Sequence, residues 1–260
     1  MQNSSLTITF LGTGTSSGVP MIGCNCAVCT STNKKDKRLR SSILVQSATT
    51  TIVVDTTPDF RYQMLRSNTQ HVDAILFTHP HKDHIAGLDD VRAYNFFSQQ
   101  PMQLYTNHLT EEAIRRDFYY AFAENKYPGV PNMEMNTIGE TDFMIGDILI
   151  TPINVWHLKM PVLGFRFNNN FTYITDANRI EVEELQKIMN ADVLVLNALR
   201  KEQHISHFTL AEAIDLSKTV CAKQTYFTHI SHQLGLHNQI SEELPANIAL
   251  SYDGLTITVE

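Results

Sequence analysis

Short apolar runs separated by polar loops extend through most of the chain, and each run has the length of a β-strand. Residues 6–11 alternate apolar side chains with threonine, and residues 42–46 and 51–55 are rich in β-branched residues that predict a hairpin. Later apolar runs predict strands at residues 74–77, 102–105, 150–156, 171–175, 192–196 and 224–228.

Helices are predicted between several of these strands. Thr209 and Glu212 form a capping-box sequence, which predicts a helix that reaches about residue 219. Strands that alternate with helices indicate an α/β protein. Further helices are predicted at residues 59–66, 85–97 and 111–122.

The densest group of reactive side chains follows the fourth predicted strand. Residues 78–84 read Thr-His-Pro-His-Lys-Asp-His and contain four metal-ligand side chains. Imidazole and carboxylate suit zinc, iron or manganese. So short a loop cannot readily direct all four at one ion. Two neighbouring metals can share them, with His79 and His81 on one and Asp83 and His84 on the other.

Three more predicted strands end directly before a residue that can bind a metal. These residues are His157, Asp176 and His229. Ligands at the carboxyl ends of sheet strands match the usual placement of sites in α/β sheets. We therefore expect the seven candidate ligands to meet in one site.

A second cluster of candidate ligands lies near the N-terminus. Cys24, Cys26 and Cys29 form a CxCxxC sequence, whereas Cys221 stands apart. Clustered cysteines in an intracellular chain favour metal binding over disulfides. A closed tetrahedral zinc site needs a fourth ligand, for which Cys221 and several histidines are candidates.

Composition narrows the classes of function. The 260 residues are 43% hydrophobic and carry a formal net charge of −7, which argues against a broad nucleic-acid-binding face. The basic residues 34–40 are typical of a solvated face, from which Arg38 or Arg40 could reach an anionic substrate. Residues 1–10 lack the features of a signal peptide, and no apolar run is long enough to span a membrane. A cytoplasmic location without a membrane partner is expected.

The HxHxDH sequence after a strand resembles the signature of the metallo-β-lactamase superfamily of binuclear metal hydrolases. With GVPxxGCxCxxC at residues 18–29 and THISHQ at residues 228–233, the chain resembles, over essentially its whole length, the phosphoribosyl 1,2-cyclic phosphate phosphodiesterases of the carbon–phosphorus lyase pathway. This resemblance implies an αββα sandwich of two mixed β-sheets with helices on the outer faces. It also implies a single domain over residues 1–260, with a zinc-binding cysteine loop at about residues 20–32.

The resemblance further implies which residues bind each metal. His79, His81 and His157 would hold one active-site ion, Asp83, His84 and His229 the second, and Asp176 would bridge the two. Both ions would be zinc or manganese. Cys24, Cys26, Cys29 and His232 would hold one structural zinc, which leaves Cys221 as an ordinary helix or core cysteine.

The charge of such a centre favours a small anionic substrate. We expect a metal-bridging hydroxide, oriented by Asp83, to attack the phosphorus of a small, cyclic phosphodiester. His207, just before the helix that Thr209 opens, would hydrogen-bond a phosphate oxygen or protonate the leaving oxygen. His204 is a nearby competitor for this role. A homodimer is expected only because it is the commonest assembly.

Three other functions are weighed against this phosphodiesterase. A tRNA 3′-processing nuclease would use the same ligands and a histidine like His207, but the net acidity, the cysteine loop and the absence of an evident basic RNA-clamping arm oppose it. A β-lactamase or glyoxalase fits the aspartate-and-histidine pattern near the end of the chain less well. A non-catalytic binding protein, like the pyrroloquinoline quinone biosynthesis relative, would have a degraded site, whereas this chain keeps every ligand.

Overall fold

The computed structural model describes residues 5–260. Residues 1–4, part of the segment in which no signal peptide is expected, lie outside the described residues. None of the helices in the described part of the chain has the length and apolar character needed to cross a membrane. The strands are β1 (Leu6–Gly12), β2 (Ser42–Gln46), β3 (Thr51–Val54), β4 (Ala74–Leu76), β5 (Met102–Thr106), β6 (Met133–Thr137), β7 (Phe143–Ile145), β8 (Ile148–His157), β9 (Met160–Phe167), β10 (Phe171–Ile174), β11 (Arg179–Ile180), β12 (Val193–Asn197), β13 (Gln224–Thr228), β14 (Ile248–Leu250) and β15 (Thr256–Val259). The α-helices are α1 (Ala27–Thr30), α2 (Phe60–Ser67), α3 (Lys82–Ile85), α4 (Arg92–Ser98), α5 (His108–Asp117), α6 (Tyr119–Phe122), α7 (Val182–Ile188), α8 (Leu210–Val220) and α9 (His237–Glu243).

Within residues 5–260 the strands form two mixed sheets. The first has the order β15-β1-β2-β3-β4-β5-β6, and the second has the order β11-β8-β9-β10-β12-β13-β14, with β7 paired to β8. Strands β3 to β6 are mutually parallel, as are β10, β12, β13 and β14, whereas the remaining pairs are antiparallel. The predicted pair of mixed sheets is confirmed.

The two sheets pack face to face, and helices cover their outer faces. The inner layer joins Phe10 of β1 and Val54 of β3 to Phe165 of β9 in one buried cluster. Helices α2 and α5 pack on the outer face of the first sheet, and α8 and α9 pack on that of the second. Strands β4 and β12 are buried along their whole length, which explains why both appear in the sequence as unbroken apolar runs.

The helix predicted at residues 85–97 is wrong in its bounds and its continuity. Helix α3 begins at Lys82, inside the histidine motif, and a 3₁₀ turn at Leu88–Val91 separates it from α4. The break coincides with Gly87, where a Cβ atom would lie 2.1 Å from the carbonyl oxygen of Thr57. The helix is therefore interrupted at Gly87, where the backbone packs against the loop that contains Thr57. Asp83 and His84 therefore lie within the single turn of α3 rather than in the loop before a helix.

The helix predicted at residues 111–122 is also divided, because the chain leaves helical geometry at Phe118, between α5 and α6. By contrast, the capping box is confirmed. The Thr209 side chain accepts the backbone N–H of Glu212, whose carboxylate accepts the N–H of Thr209. This reciprocal pair fixes where α8 begins, directly after His207.

The prediction that the basic run at residues 34–40 forms a solvated face is wrong for Arg38. Its side chain is buried and donates to Thr13 Oγ1 (2.8 Å) and to the Ser251 carbonyl (2.7 Å). Arg40 donates to Asp59 at 3.1 Å and to the Ser16 carbonyl at 3.2 Å. Arg38 thus binds two distant parts of the chain together rather than facing a substrate.

Candidate metal centre

The candidate ligands are brought together from four places in the two sheets. The histidine motif follows β4, His157 ends β8, Asp176 follows β10 and His229 follows β13. Single ligand atoms of Asp83, His84, Asp176 and His229 all lie within 4.8 Å of one another. The set expected around the second metal, together with its bridging aspartate, therefore meets in space.

Asp176 lies at the middle of this group. Its Oδ1 atom is 3.0 Å from His229 Nε2, and its Oδ2 atom is 3.3 Å from His84 Nε2. His84 Nε2 is also 3.2 Å from Asp83 Oδ2. Asp176 adopts a left-handed backbone conformation (φ 54°) and accepts a hydrogen bond from the Thr175 hydroxyl, which holds the carboxylate in place.

The histidines expected at the first metal lie beside this group. His79 Nε2 is 3.1 Å from His81 Nδ1 and 4.0 Å from Asp176 Oδ1. The rings of His81 and His157 are 5.1 Å apart between centroids. His157 Nδ1 donates to the Ser206 carbonyl at 2.8 Å, which leaves its Nε2 atom free to bind.

His207 lies in direct contact with the candidate ligands. Its Nε2 atom is 3.1 Å from Asp176 Oδ1, and its ring stacks on His229 with centroids 4.8 Å apart. His157, Asp176 and His207 form a further group of atoms within 4.8 Å of one another. His204 stands behind His207, with the two Nδ1 atoms 3.2 Å apart. His207 rather than His204 therefore reaches the centre.

The unsatisfied atoms in the centre fit divalent cations. Within residues 5–260, the buried His84 Nε2 and both buried ring nitrogens of His229 have no hydrogen-bond partner. Burial lowers the pKa of His229, yet the Asp176 and Asp83 carboxylates outweigh it and raise the pKa to about 9. This negative field and the imidazole and carboxylate donors suit zinc or manganese.

The cysteine loop folds against the segment that follows β13. Cys24 Sγ and Cys26 Sγ lie 3.5 and 3.3 Å from His232 Nδ1. Ligand atoms of Cys24, Cys26, Cys29 and His232 all lie within 4.8 Å of one another. A hydrogen bond with His232 lowers the pKa of Cys26 to about 6, which favours the thiolate that binds zinc. The four donors fit one tetrahedral zinc.

Of the two places expected for Cys221, a helix or the core, the structure shows the first. It ends α8 as the C-cap residue, in a left-handed conformation with φ 56°, and its side chain is exposed. It is therefore a helix-terminal cysteine but not a core residue.

Comparisons with known proteins agree with this geometry. A family model described as the β-lactamase superfamily domain matches residues 50–230. The crystal structure of a diphosphatase from the PhnP family superposes with a TM-score of 0.92 and 39% identity, covering 98% of this chain and 97% of that one. The chain belongs to the PhnP family of the β-lactamase superfamily. This membership supports a metal-dependent hydrolase.

Two further proteins are similar to this chain only in fold or only over part of their length. The zinc-bound PqqB of Methylobacterium extorquens has a TM-score of 0.78 over 96% of this chain and 99% of its own, at 18% identity, which shows the shared fold alone. An octanoyltransferase of Porphyromonas gingivalis is 35% identical over 253 residues. That match covers 96% of this chain, but the chain spans only about half (51%) of that relative's length.

Sequence reasoning missed one residue that supports the PhnP-family centre, Asp55. It is fully buried directly after β3 and accepts hydrogen bonds from the Thr78 N–H (2.9 Å), the Thr78 hydroxyl (2.8 Å) and His84 Nδ1 (2.7 Å). The last bond puts the proton on Nδ1, so that Nε2 of His84 faces the centre. The signal was present, because Asp55 follows an apolar run just as His157, Asp176 and His229 do.

Loss of one cysteine ligand tests the structural zinc site. We expect Cys24→Ser to remove one zinc per chain and to lower the melting temperature by about 5–10 °C, as a loss of about 3 kcal/mol would for a chain of this size. Metal analysis and thermal unfolding measure both effects. The matched control is Cys221→Ser, which should keep its zinc and its melting temperature. Equal zinc content in the two variants would refute the site.

Proposed function

We propose that the protein hydrolyses a small, cyclic phosphodiester at a binuclear metal centre. The observation that carries the proposal is the arrangement around Asp176. Its carboxylate lies 3.3 Å from His84 Nε2 and 3.0 Å from His229 Nε2, which belong to one proposed ligand set, and 4.0 Å from His79 Nε2 of the other set. One carboxylate can therefore serve two ions. The proposed ligands are His79, His81 and His157 for one ion, Asp83, His84 and His229 for the other, and Asp176 for both.

Zinc or manganese ions held there would supply a hydroxide near neutral pH and offset the negative charge of a phosphodiester. The protein contributes the orientation of the groups around them. Asp83 lies in the first turn of α3, and its Oδ2 atom is 3.2 Å from His84 Nε2 and 3.8 Å from His229 Nε2. It is therefore placed both to bind a metal and to orient the nucleophile.

His207 is the proposed hydrogen-bond or proton donor. Because Asp176 Oδ1 can only accept, His207 Nε2 carries the proton across their 3.1 Å contact. Nδ1 then accepts, and the Ser206 hydroxyl lies 3.1 Å away to donate to it. In this neutral form the Nε2–H can hydrogen-bond a phosphate oxygen, whereas protonation of a leaving oxygen requires His207 as the imidazolium, with both ring nitrogens protonated.

Hydrolysis assays with defined metal content test the function. We expect protein loaded with zinc or manganese to hydrolyse a 2′,3′-cyclic nucleotide and bis(p-nitrophenyl) phosphate, and to contain two active-site ions besides the cysteine-site zinc. An organic diphosphate belongs in the panel, because the PhnP-family relative is named a diphosphatase. No turnover with zinc, manganese or nickel would refute the proposal. Cleavage of precursor tRNA would favour the nuclease, and zinc only at the cysteine site after metal loading would favour a binding protein.

Replacing His207 separates its two possible roles. We expect His207→Ala to lower kcat on the cyclic nucleotide by about 10²–10⁴, because its alkoxide leaving group needs a proton. On bis(p-nitrophenyl) phosphate the loss should be much smaller, since p-nitrophenolate leaves without one. His204→Ala is the comparison and should change both rates less. Equal losses on the two substrates would assign His207 to binding the phosphate rather than to protonation.

A further inference from the structure

Two exposed apolar side chains stand beside the metal centre. Leu158 follows His157 directly and is 48% exposed, and Ile205 precedes Ser206 and is 73% exposed. The two loops are neighbours, because His157 Nδ1 donates to the Ser206 carbonyl at 2.8 Å. Exposed apolar groups next to a polar, buried site are a common feature of ligand pockets.

Asn178 holds these two residues in place. Its Oδ1 atom accepts the backbone N–H of Leu158 at 2.8 Å, and its Nδ2 atom donates to the Ile205 carbonyl at 3.0 Å. The backbone N–H of Asn178 also donates to the Trp156 carbonyl at 2.9 Å. Leu158 adopts a left-handed conformation (φ 58°), which is costly for leucine, so its exposed position is maintained by these contacts.

Two polar side chains of the neighbouring segments, Arg200 and Asn178, are already engaged. The guanidinium of Arg200 donates to the carbonyls of Glu202 (3.3 Å) and Gln203 (2.9 Å) and to Gln233 Oε1 (2.7 Å). Asn178 uses both ends of its amide in the contacts above. A hydroxyl-rich substituent placed here would lose hydrogen bonds to water without full replacement, whereas an apolar one would gain contact area.

We propose that Leu158 and Ile205 form an apolar shelf that binds an apolar substituent of the phosphodiester, such as an aryl group. The proposal rests on the proposed function for the position of the phosphate at the metal centre. It assigns the choice of substrate to these two side chains rather than to the metal ligands.

Two phosphonates that differ in one substituent test the shelf without turnover. Calorimetric titration of the metal-loaded protein should show phenylphosphonate binding about tenfold tighter than methylphosphonate. Leu158→Asn and Ile205→Ser should each reduce this preference about threefold to fivefold, and the double variant should nearly abolish it. Asparagine tolerates the left-handed conformation, so the first variant keeps the backbone. Affinity for methylphosphonate should stay the same in all variants.

Met144→Ser is the matched control. Met144 is 52% exposed on β7, which pairs with the end of β8 opposite to His157. This control should keep the full preference for phenylphosphonate. Equal affinity for the two phosphonates in the unmodified protein, or an unchanged preference in the double variant, would overturn the shelf. Failure of the proposed function would instead appear as a lack of phosphodiester turnover, which this titration does not use.

Discussion

Replacement of Asp176 by alanine is expected to empty the binuclear centre and to lower kcat/KM on bis(p-nitrophenyl) phosphate by about a thousandfold or more. Metal ions contribute several kcal/mol to such reactions, and about 4 kcal/mol corresponds to that factor. The effect should be large because the Asp176 carboxylate contacts three histidines, His84, His207 and His229, at 3.0–3.3 Å. No other carboxylate described in residues 5–260 contacts all three.

Metal content distinguishes this effect from unfolding. Asp176→Ala should lose the two active-site ions and retain the zinc bound by the cysteine loop, so that about one ion per chain remains. Asp90→Ala removes an aspartate outside the centre and should retain all three ions and full activity. An Asp176→Ala protein that kept both its metals and its activity would contradict the proposed ligand set.

The second large effect is expected on stability, from Asp55→Ala. Removing this fully buried carboxylate leaves the Thr78 N–H, the Thr78 hydroxyl and His84 Nδ1 without their acceptor. Breaking a buried pair on one side costs about 3–5 kcal/mol. We expect a fall of that size in the free energy of unfolding, measured by urea denaturation of metal-free protein, so that lost metal binding does not contribute.

Asp73 provides a matched control for Asp55. It accepts the Thr51 N–H at 2.7 Å and faces His71 Nε2 at 2.8 Å, but its side chain remains 34% exposed. In the variant, water can take the place of the carboxylate as the acceptor for these two groups, so Asp73→Ala should lower the free energy of unfolding by no more than about 1 kcal/mol. If Asp55→Ala and Asp73→Ala were equally stable, the burial of the contacts between Asp55, Thr78 and His84 would not explain how Asp55 stabilises the fold.

The metal-ligand residues that directly follow apolar strands could be predicted because this pattern depends only on neighbouring residues. Buried parallel strands require unbroken apolar runs, and the loops that follow them are where a sheet can present polar ligands. His157, Asp176 and His229 stand out in the sequence for this reason. Asp55 fits the same pattern, but it lay at the end of a predicted hairpin strand and was counted as part of it.

The failed predictions concern long-range contacts. The basic run around Arg38 was predicted to be a solvated face. Its burial could not be foreseen, because the Ser251 carbonyl that accepts from Arg38 is more than two hundred residues away in the sequence. The break at Gly87 comes from the backbone of Thr57, which no helical periodicity reveals. Strand β9 carries Pro161 and Gly164, which weaken the sequence signal for a strand, although it pairs with both β8 and β10 in the sheet.

The sequence by itself determined the kinds of ligand, their order along the chain, the start of α8 and the family. Each of these features depends on residues close together in the sequence or on a short motif, so it can be recognised without a structure. Only the tertiary structure decided that Asp176 faces both His84 and His229, that Asp55 orients His84, and that Asn178 holds Leu158 next to Ile205. Each of these depends on how two sheets pack and where their loops meet, and no local propensity encodes such distances.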